Sequence, residues 1–185
     1  MKKLILILFL LPLFAKAQKI ELPLKDSTIM YEEIISVKDS GATADKMFTL
    51  AQSWFANTFN NSKSVLRVND RVSHQLIGKG SELFENGIGY NPSVYLNYTI
   101  AVDIKDGKYR YRVYDLSYES GSGYFYQLSQ GYSHYLHDEI KQMVFESKKK
   151  AIKRYEKEFI FADTKARALI QSLKSNMSNL NADAF

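Results

Sequence analysis

His134, His137, Asp138 and Glu139 are the one cluster of metal-ligating residue types in the chain. On a helix the two histidines share a face, and with a carboxylate they would hold a transition metal and activate water for hydrolysis. The His-Glu-x-x-His spacing of a zinc protease is absent, and the competing reading is a solvated polar helix start. His74 stands without a partner nearby in sequence and reads as a surface or hydrogen-bonded histidine in a strand. Glu32 and Glu33 adjoin in a strand, so they point to opposite faces and form no acid/base pair. There is no cysteine, which removes thiol chemistry and disulfides. Nor is there a Gly-x-Ser-x-Gly elbow for a serine nucleophile.

Gly78-Lys79-Gly80 and Gly121-Ser122-Gly123 lack the spacing of a phosphate-binding loop. The first pair reads as strand glycines at a bulge or twist, the second as a flexible connection. Among the aromatics, Tyr118, Tyr124, Phe125, Tyr126, Tyr132 and Tyr135 crowd one stretch. Exposed on a loop, such rings stack on sugars or anchor a peptide; tucked under it, they make a satellite core. No residue set implies a cofactor.

The elements that would position these residues begin with a leader. Lys2 and Lys3 precede an apolar run from Leu4 to Phe14 and the small-residue pattern Ala15-Lys16-Ala17. This is the pattern of a signal peptide over residues 1–17; the run is too short for a membrane anchor and Pro12 interrupts it. The expectation is an exported protein, periplasmic or secreted, without a lipid and without a transmembrane span in its mature form. The formal charge of +5 falls to +2 once Lys2, Lys3 and Lys16 are removed, leaving 22 basic and 20 acidic residues. Nucleic acid is therefore not the expected partner. The remaining length suits a single domain, expected over 28–178, after a lead-in arm at 18–27 and before a frayed tail at 179–185.

Thr28 to Val37 predicts a first strand. Asp39-Ser40-Gly41 then leads into a helix with Thr43 as N-cap and Asp45 in its first turn. Met47, Leu50, Ala51, Trp54, Phe55 and Phe59 make its apolar face. Ser64–Val68 and Val72–Phe84 read as strands around an Asn69-Asp70-Arg71 turn, and the run from Glu85 to Pro92 as a loop. Val94, Leu96, Tyr98, Ile100, Val102 and Ile104 alternate with wetter residues, which predicts a strand with one buried face. Asp106-Gly107 is a two-residue turn into a partner strand, Lys108–Tyr118, whose apolar phase slips near Val113 or Tyr114, the mark of a bulge. Glu119 to Tyr135 reads as irregular. Ile152, Tyr155, Phe159, Ala162, Ala166, Leu169 and Leu173 form a helical seam, as one long helix or as two broken near Asp163. The run Lys148, Lys149, Lys150, Lys153 and Arg154 reads as a solvated face.

With Tyr31-Glu32-Glu33, Gly78-Lys79-Gly80, the Asp106-Gly107-Lys108-Tyr109-Arg110-Tyr111 hairpin and the stretch Leu169–Met177, this order resembles a family of uncharacterised exported bacterial proteins with a TATA-binding-protein-like fold. The resemblance spans about Thr28 to Met177. It implies an α+β fold: an antiparallel sheet in strand-helix-four strands-helix order, both helices on one face. The family has no established activity and lends no site residues. The tyrosine-rich stretch from Glu119 to His137 is longer here than in that family, and the DNA-binding role of the fold's namesake does not follow from the fold.

One-sided helix cover leaves the opposite sheet face to Tyr95, Asn97, Thr99, Arg110 and Arg112. The leading expectation is a non-enzymatic binding or adaptor domain. It would use this face together with Tyr124, Tyr126 and Tyr132 to hold an envelope protein, a peptide or a glycan. Two alternatives stand beside it: a metal-assisted hydrolase at His134, His137 and Asp138, and a homo-oligomer joined through the seam from Ile152 to Leu173.

Overall fold

The computed structural model describes residues 22–26, 28–59, 65–84, 94–120, 125–127 and 146–179, with residues 120, 125–127 and 146–155 described by their backbone alone. The elements run β1 (Leu24–Lys25), β2 (Thr28–Ile29), β3 (Tyr31–Ser36), α1 (Ala44–Thr58), β4 (Leu66–Asp70), β5 (Gln75–Phe84), β6 (Val94–Lys105), β7 (Lys108–Ser120), β8 (Phe125–Gln127) and α2 (Glu146–Met177). β1 and β2 form a small ladder of their own. The main sheet has six strands, all paired antiparallel in the order β3-β7-β6-β5-β4, with β8 on β7.

α1 starts where the sequence predicts. The Thr43 hydroxyl accepts from the Lys46 amide at 3.3 Å, satisfying one of the amides that a helix start leaves open. The hairpin turn supplies a second cap, because the Asp106 carboxylate accepts from the Ala44 amide at 2.7 Å. Gly107, at φ +68, donates its amide to the Ala42 carbonyl at 2.8 Å and accepts from Val37 at 2.8 Å. Asp106-Gly107 thus closes β6 onto β7 and also fixes the entry to α1.

Met47, Phe48, Leu50, Ala51, Trp54 and Phe55 bury the inner side of α1. α2 is continuous through Asp163, and its Phe159, Ala162, Ala166, Leu169, Ile170, Leu173 and Met177 join the same core. The part of the seam from Phe159 to Leu173 is therefore occupied within the chain. Trp54 Nε1 donates to Ser172 Oγ at 3.0 Å and links the two helices. Both helices cover the sheet side that carries Leu76, Leu96, Ile100, Val102, Ile104, Tyr109, Tyr111 and Val113. Polar ties add to this packing: Tyr31 donates to Asp163 at 2.7 Å, while Tyr111 at 2.7 Å and Lys174 at 2.6 Å both donate to Glu33. Those hydrogen bonds hold the Glu33 carboxyl below its ordinary range, and burial, followed by the nearby Glu33 charge, pushes the Tyr109 phenol up to about 12.

Several boundaries differ from the expectation. The first strand divides, because residues 28–29 pair with 24–25 before β3 begins at Tyr31. The turn after β4 is Arg71–His74, and His74 lies in it at φ +51 rather than in a strand. Its cause is Asp70, whose carboxylate accepts from the Val72 amide at 2.8 Å and the Ser73 hydroxyl at 2.7 Å, a side-chain turn that leaves Val72 in water. The β7 bulge centres on Asp115, at φ +54, where the register slips between Asn97 and Thr99. The stretch expected to be irregular carries the end of β7 and all of β8. Among the described residues no helix is long and apolar enough to cross a membrane.

Candidate functional site

Register places the expected residues on the side of the sheet away from the helices. Tyr95 pairs with Glu119, Asn97 with Ser117, Thr99 with Tyr114, Ala101 with Arg112 and Asp103 with Arg110. That face does not form one site. Tyr95 and Asp103 stand at opposite ends of β6, roughly 26 Å apart at about 3.3 Å per residue, so Tyr95 and Arg110 cannot meet one small ligand. Between them Thr99 and Ala101 are buried although no described helix covers them. Their register neighbours are the longer Tyr114 and Lys79 for Thr99, and Arg112 and Ile77 for Ala101. Thr99, expected as a binding residue, presents almost no surface.

At the hairpin end a charge network converges on Asp103. Its carboxylate accepts from Gln75 Nε2 at 2.7 Å, from Arg110 Nε at 3.1 Å and Nη2 at 3.0 Å, and from Arg112 Nη2 at 3.0 Å. Arg110 also lies 3.6 Å from Glu32, which Lys25 contacts in turn. Burial alone would raise the Asp103 pKa. The hydrogen bonds from Gln75 and Arg110 and the two guanidinium charges outweigh it and hold the carboxyl below its usual range. Arg110 and Arg112, expected to reach a ligand, are already committed here. Arg112 also leans over the Tyr114 ring at 5.9 Å.

A depressed folded-state pKa contributes stability above the unfolded pKa and loses it as pH falls through the folded value. Asp103 therefore stabilises the fold above about pH 4, where an unfolded aspartate ionises, and stops doing so in acid. Asp103→Asn should reduce stability at pH 7 and flatten the decline below pH 4. Urea midpoints at pH 7, 4 and 3 would show it, and an unchanged acid limb would deny the network this role.

At the far end the face is different. Leu83 and Tyr95 are register partners, exposed at 44% and 41% on a sheet side where nothing described lies over them. Beside them a groove of about 710 Å³ runs along β5, where β4 stops pairing at Gly78; Arg67, Lys79, Ser81, Asn97 and Asp115 are among its lining. Of the groove residues only Asn97 and Thr99 were expected from the sequence to bind, while Lys79, Gly80 and Tyr98 read as strand residues. A bulge at Arg67, between Leu66 and Val68, turns this residue toward the groove, and a register slip of that kind is invisible without the pairing.

The glycines of Gly78-Lys79-Gly80 serve close packing. A Cβ on Gly78 would stand 2.7 Å from the Phe55 ring, and one on Gly80 within 2.3–2.5 Å of the Tyr98 ring and hydroxyl. Tyr98 crosses beneath Gly80 and lines the groove, and its buried hydroxyl has no hydrogen-bond partner among the described residues.

Tyr126 enters β8 opposite Tyr118. Tyr124, Tyr132, His134, His137 and Asp138 lie outside the described residues. Among the described residues no group of three or more His, Asp or Glu side chains is arranged to hold a metal. A second cleft, of about 580 Å³, lies between Ile35–Ser40 and the end of α2, where Lys174 is already engaged with Glu33.

Residues 31–119 match the family model described as a domain of unknown function (DUF4468) with TBP-like fold. The crystal structure of a DUF4468 family protein from Bacteroides ovatus ATCC 8483 is similar at a TM-score of 0.55, covering 82% of this chain and 90% of that one at 15% identity. That of a TBP-like protein from Parabacteroides distasonis ATCC 8503 is similar at 0.55, covering 83% and 97% at 9% identity. At such identities the likeness speaks for the fold alone. No curated protein matches the chain.

Proposed function

We propose that this chain, whose residues 31–119 match the DUF4468 family of unknown function with its TBP-like fold, is an exported, non-enzymatic binding domain that holds its partner on the open sheet face. The observation that carries this reading is the Leu83–Tyr95 pair. Two large side chains lie side by side and exposed, on a rigid sheet rather than on a loop. Exposed aromatics that are held in place lose little freedom on binding and so make effective anchors. The leader-like residues 1–17 support the envelope as the setting, with an envelope protein, a peptide or a glycan as partner.

The proposed contact lies at the Tyr95 end of the sheet face. Tyr95 remains in it, Leu83 joins it, and Arg110 leaves it because its guanidinium is bonded to Asp103. The test is capture from solubilised envelope by the immobilised full chain, alongside the variant carrying Tyr95→Ala and Leu83→Ser. A stoichiometric partner retained by the parent and reduced at least ten-fold in the variant is the expected result. Equal retention by both would remove this face from the function. Arg110→Gln, in parallel, should leave capture intact.

A further inference from the structure

The groove beside that pair has a composition of its own. Arg67 and Lys79 line it, both are exposed, and among the described residues neither has an ion-pair or hydrogen-bond partner. Of the other cations of this face, Arg110 and Arg112 are engaged with Asp103 and Lys25 with Glu32, while Lys105 and Lys108 stand at the distant hairpin end, in a cleft that also holds Asp103. Two unpaired cations at one concavity make an anion site. The rest of the lining narrows the kind of anion. Asn97 and Ser81 offer an amide and a hydroxyl, and the Asp115 carboxylate, which accepts from Thr99 at 3.3 Å, shares the same groove. A carboxylate repels a multiply charged phosphate but accepts hydrogen bonds from neutral hydroxyls. The groove therefore suits a molecule with one acidic group and several hydroxyls.

Two further observations agree. Tyr98 lines this groove under Gly80, the one residue type that leaves room for it, and its hydroxyl is buried just behind the lining with no hydrogen-bond partner among the described residues. A buried hydroxyl without a hydrogen bond is costly, and an acceptor delivered into the groove would relieve that cost. Tyr95 lies two residues from Asn97 on the same face, roughly 7 Å along the strand. It is within reach of the next ring of a chain of sugars, against whose apolar face a tyrosine packs.

We propose that this groove is the binding site for an acidic oligosaccharide, taking the carboxylate of a uronic acid residue between Arg67 and Lys79 and a ring or hydroxyl oxygen at the Tyr98 hydroxyl. This assignment rests on the open-face reading above and names the ligand class that the face takes.

The test is calorimetric titration of the full chain with a galacturonate trimer, a neutral galactose trimer, acetate and inorganic phosphate. The acidic trimer should bind at least ten-fold more tightly than the neutral one. Arg67→Gln and Lys79→Gln should each weaken it by about ten-fold, the order expected for one charge-assisted hydrogen bond. Tyr98→Phe should weaken it several-fold while the melting temperature holds or rises, because the substitution only deletes an unpartnered hydroxyl. No binding of the acidic trimer, equal binding of both trimers, or affinity indifferent to Arg67, Lys79 and Tyr98 would overturn the assignment. Phosphate binding as tightly as the trimer would reduce the groove to a general anion site and overturn the sugar assignment too. A partner still captured through Tyr95 and Leu83 in any of those cases would leave the broader reading standing, so the two failures are distinguishable.

Discussion

Tyr118→Ala lowers the unfolding free energy by about 3–5 kcal/mol, the usual cost of deleting a large buried ring. Tyr118 is fully buried at the junction of β7 and α2, and its ring meets Phe84 edge-on at 5.7 Å between centroids. Phe84 in turn meets Phe161 of α2 at 5.1 Å. The Tyr118 hydroxyl donates to the Glu158 carbonyl at 2.6 Å, so one side chain ties sheet to helix by both packing and a polar bond. A domain of this size has about 5–15 kcal/mol in all, and the loss leaves it marginal at body temperature. Tyr118→Phe keeps the ring and should cost about 1 kcal/mol, the net value of one buried hydrogen bond. Urea denaturation of the three proteins checks both figures. A cost below about 1 kcal/mol for the alanine variant would mean that α2 is not docked on Tyr118 as described.

Gly80→Val is expected to be nearly as damaging, for the opposite reason. The added Cβ would stand 2.3 Å from Tyr98 Cζ, a distance no real contact tolerates. Overpacking of this kind costs about 1–3 kcal/mol or more, here because the ring must leave a place where it is 3% exposed. Removing the ring should reverse the sign. In a Tyr98→Ala background Gly80→Val should cost much less than in the parent, and a thermal-melting double-mutant cycle would read the coupling. Strict additivity would show that the two residues do not meet.

The legible parts of the fold are those with local signals. α1 shows in the spacing of Met47, Leu50, Ala51, Trp54 and Phe55 behind the Thr43 cap. The β6–β7 hairpin shows in strict alternation around Asp106-Gly107, and a two-residue turn fixes Asp103 opposite Arg110 by simple counting. That pairing was available from the sequence, although the sequence reading placed Arg110 at a ligand instead. The phase slip after Val113 reveals a bulge, but its seat at Asp115 depends on β6 across the ladder. Val72 reads as strand-forming and is 92% exposed, because the Asp70 carboxylate organises a turn through its own hydrogen bonds. The groove was the least legible part. Arg67, Lys79, Asp115 and Tyr98 come from four strands, and only the registers of β4 on β5, β5 on β6 and β6 on β7 bring them together.

β3 takes its only described main-sheet partner from far down the chain, with Tyr31 opposite Val113 and Ser36 opposite Lys108. During synthesis the first main-sheet strand must wait for β7 before it can pair. Tyr31 and Glu33 must wait longer, until Asp163 and Lys174 of α2 are made. Such distant closures fold slowly for their length, because the entropy of a long loop is lost before any contact repays it. The β4–β7 meander, whose strands pair with their sequence neighbours, can therefore form first, and β3 and α2 are joined to it only in a later closing step.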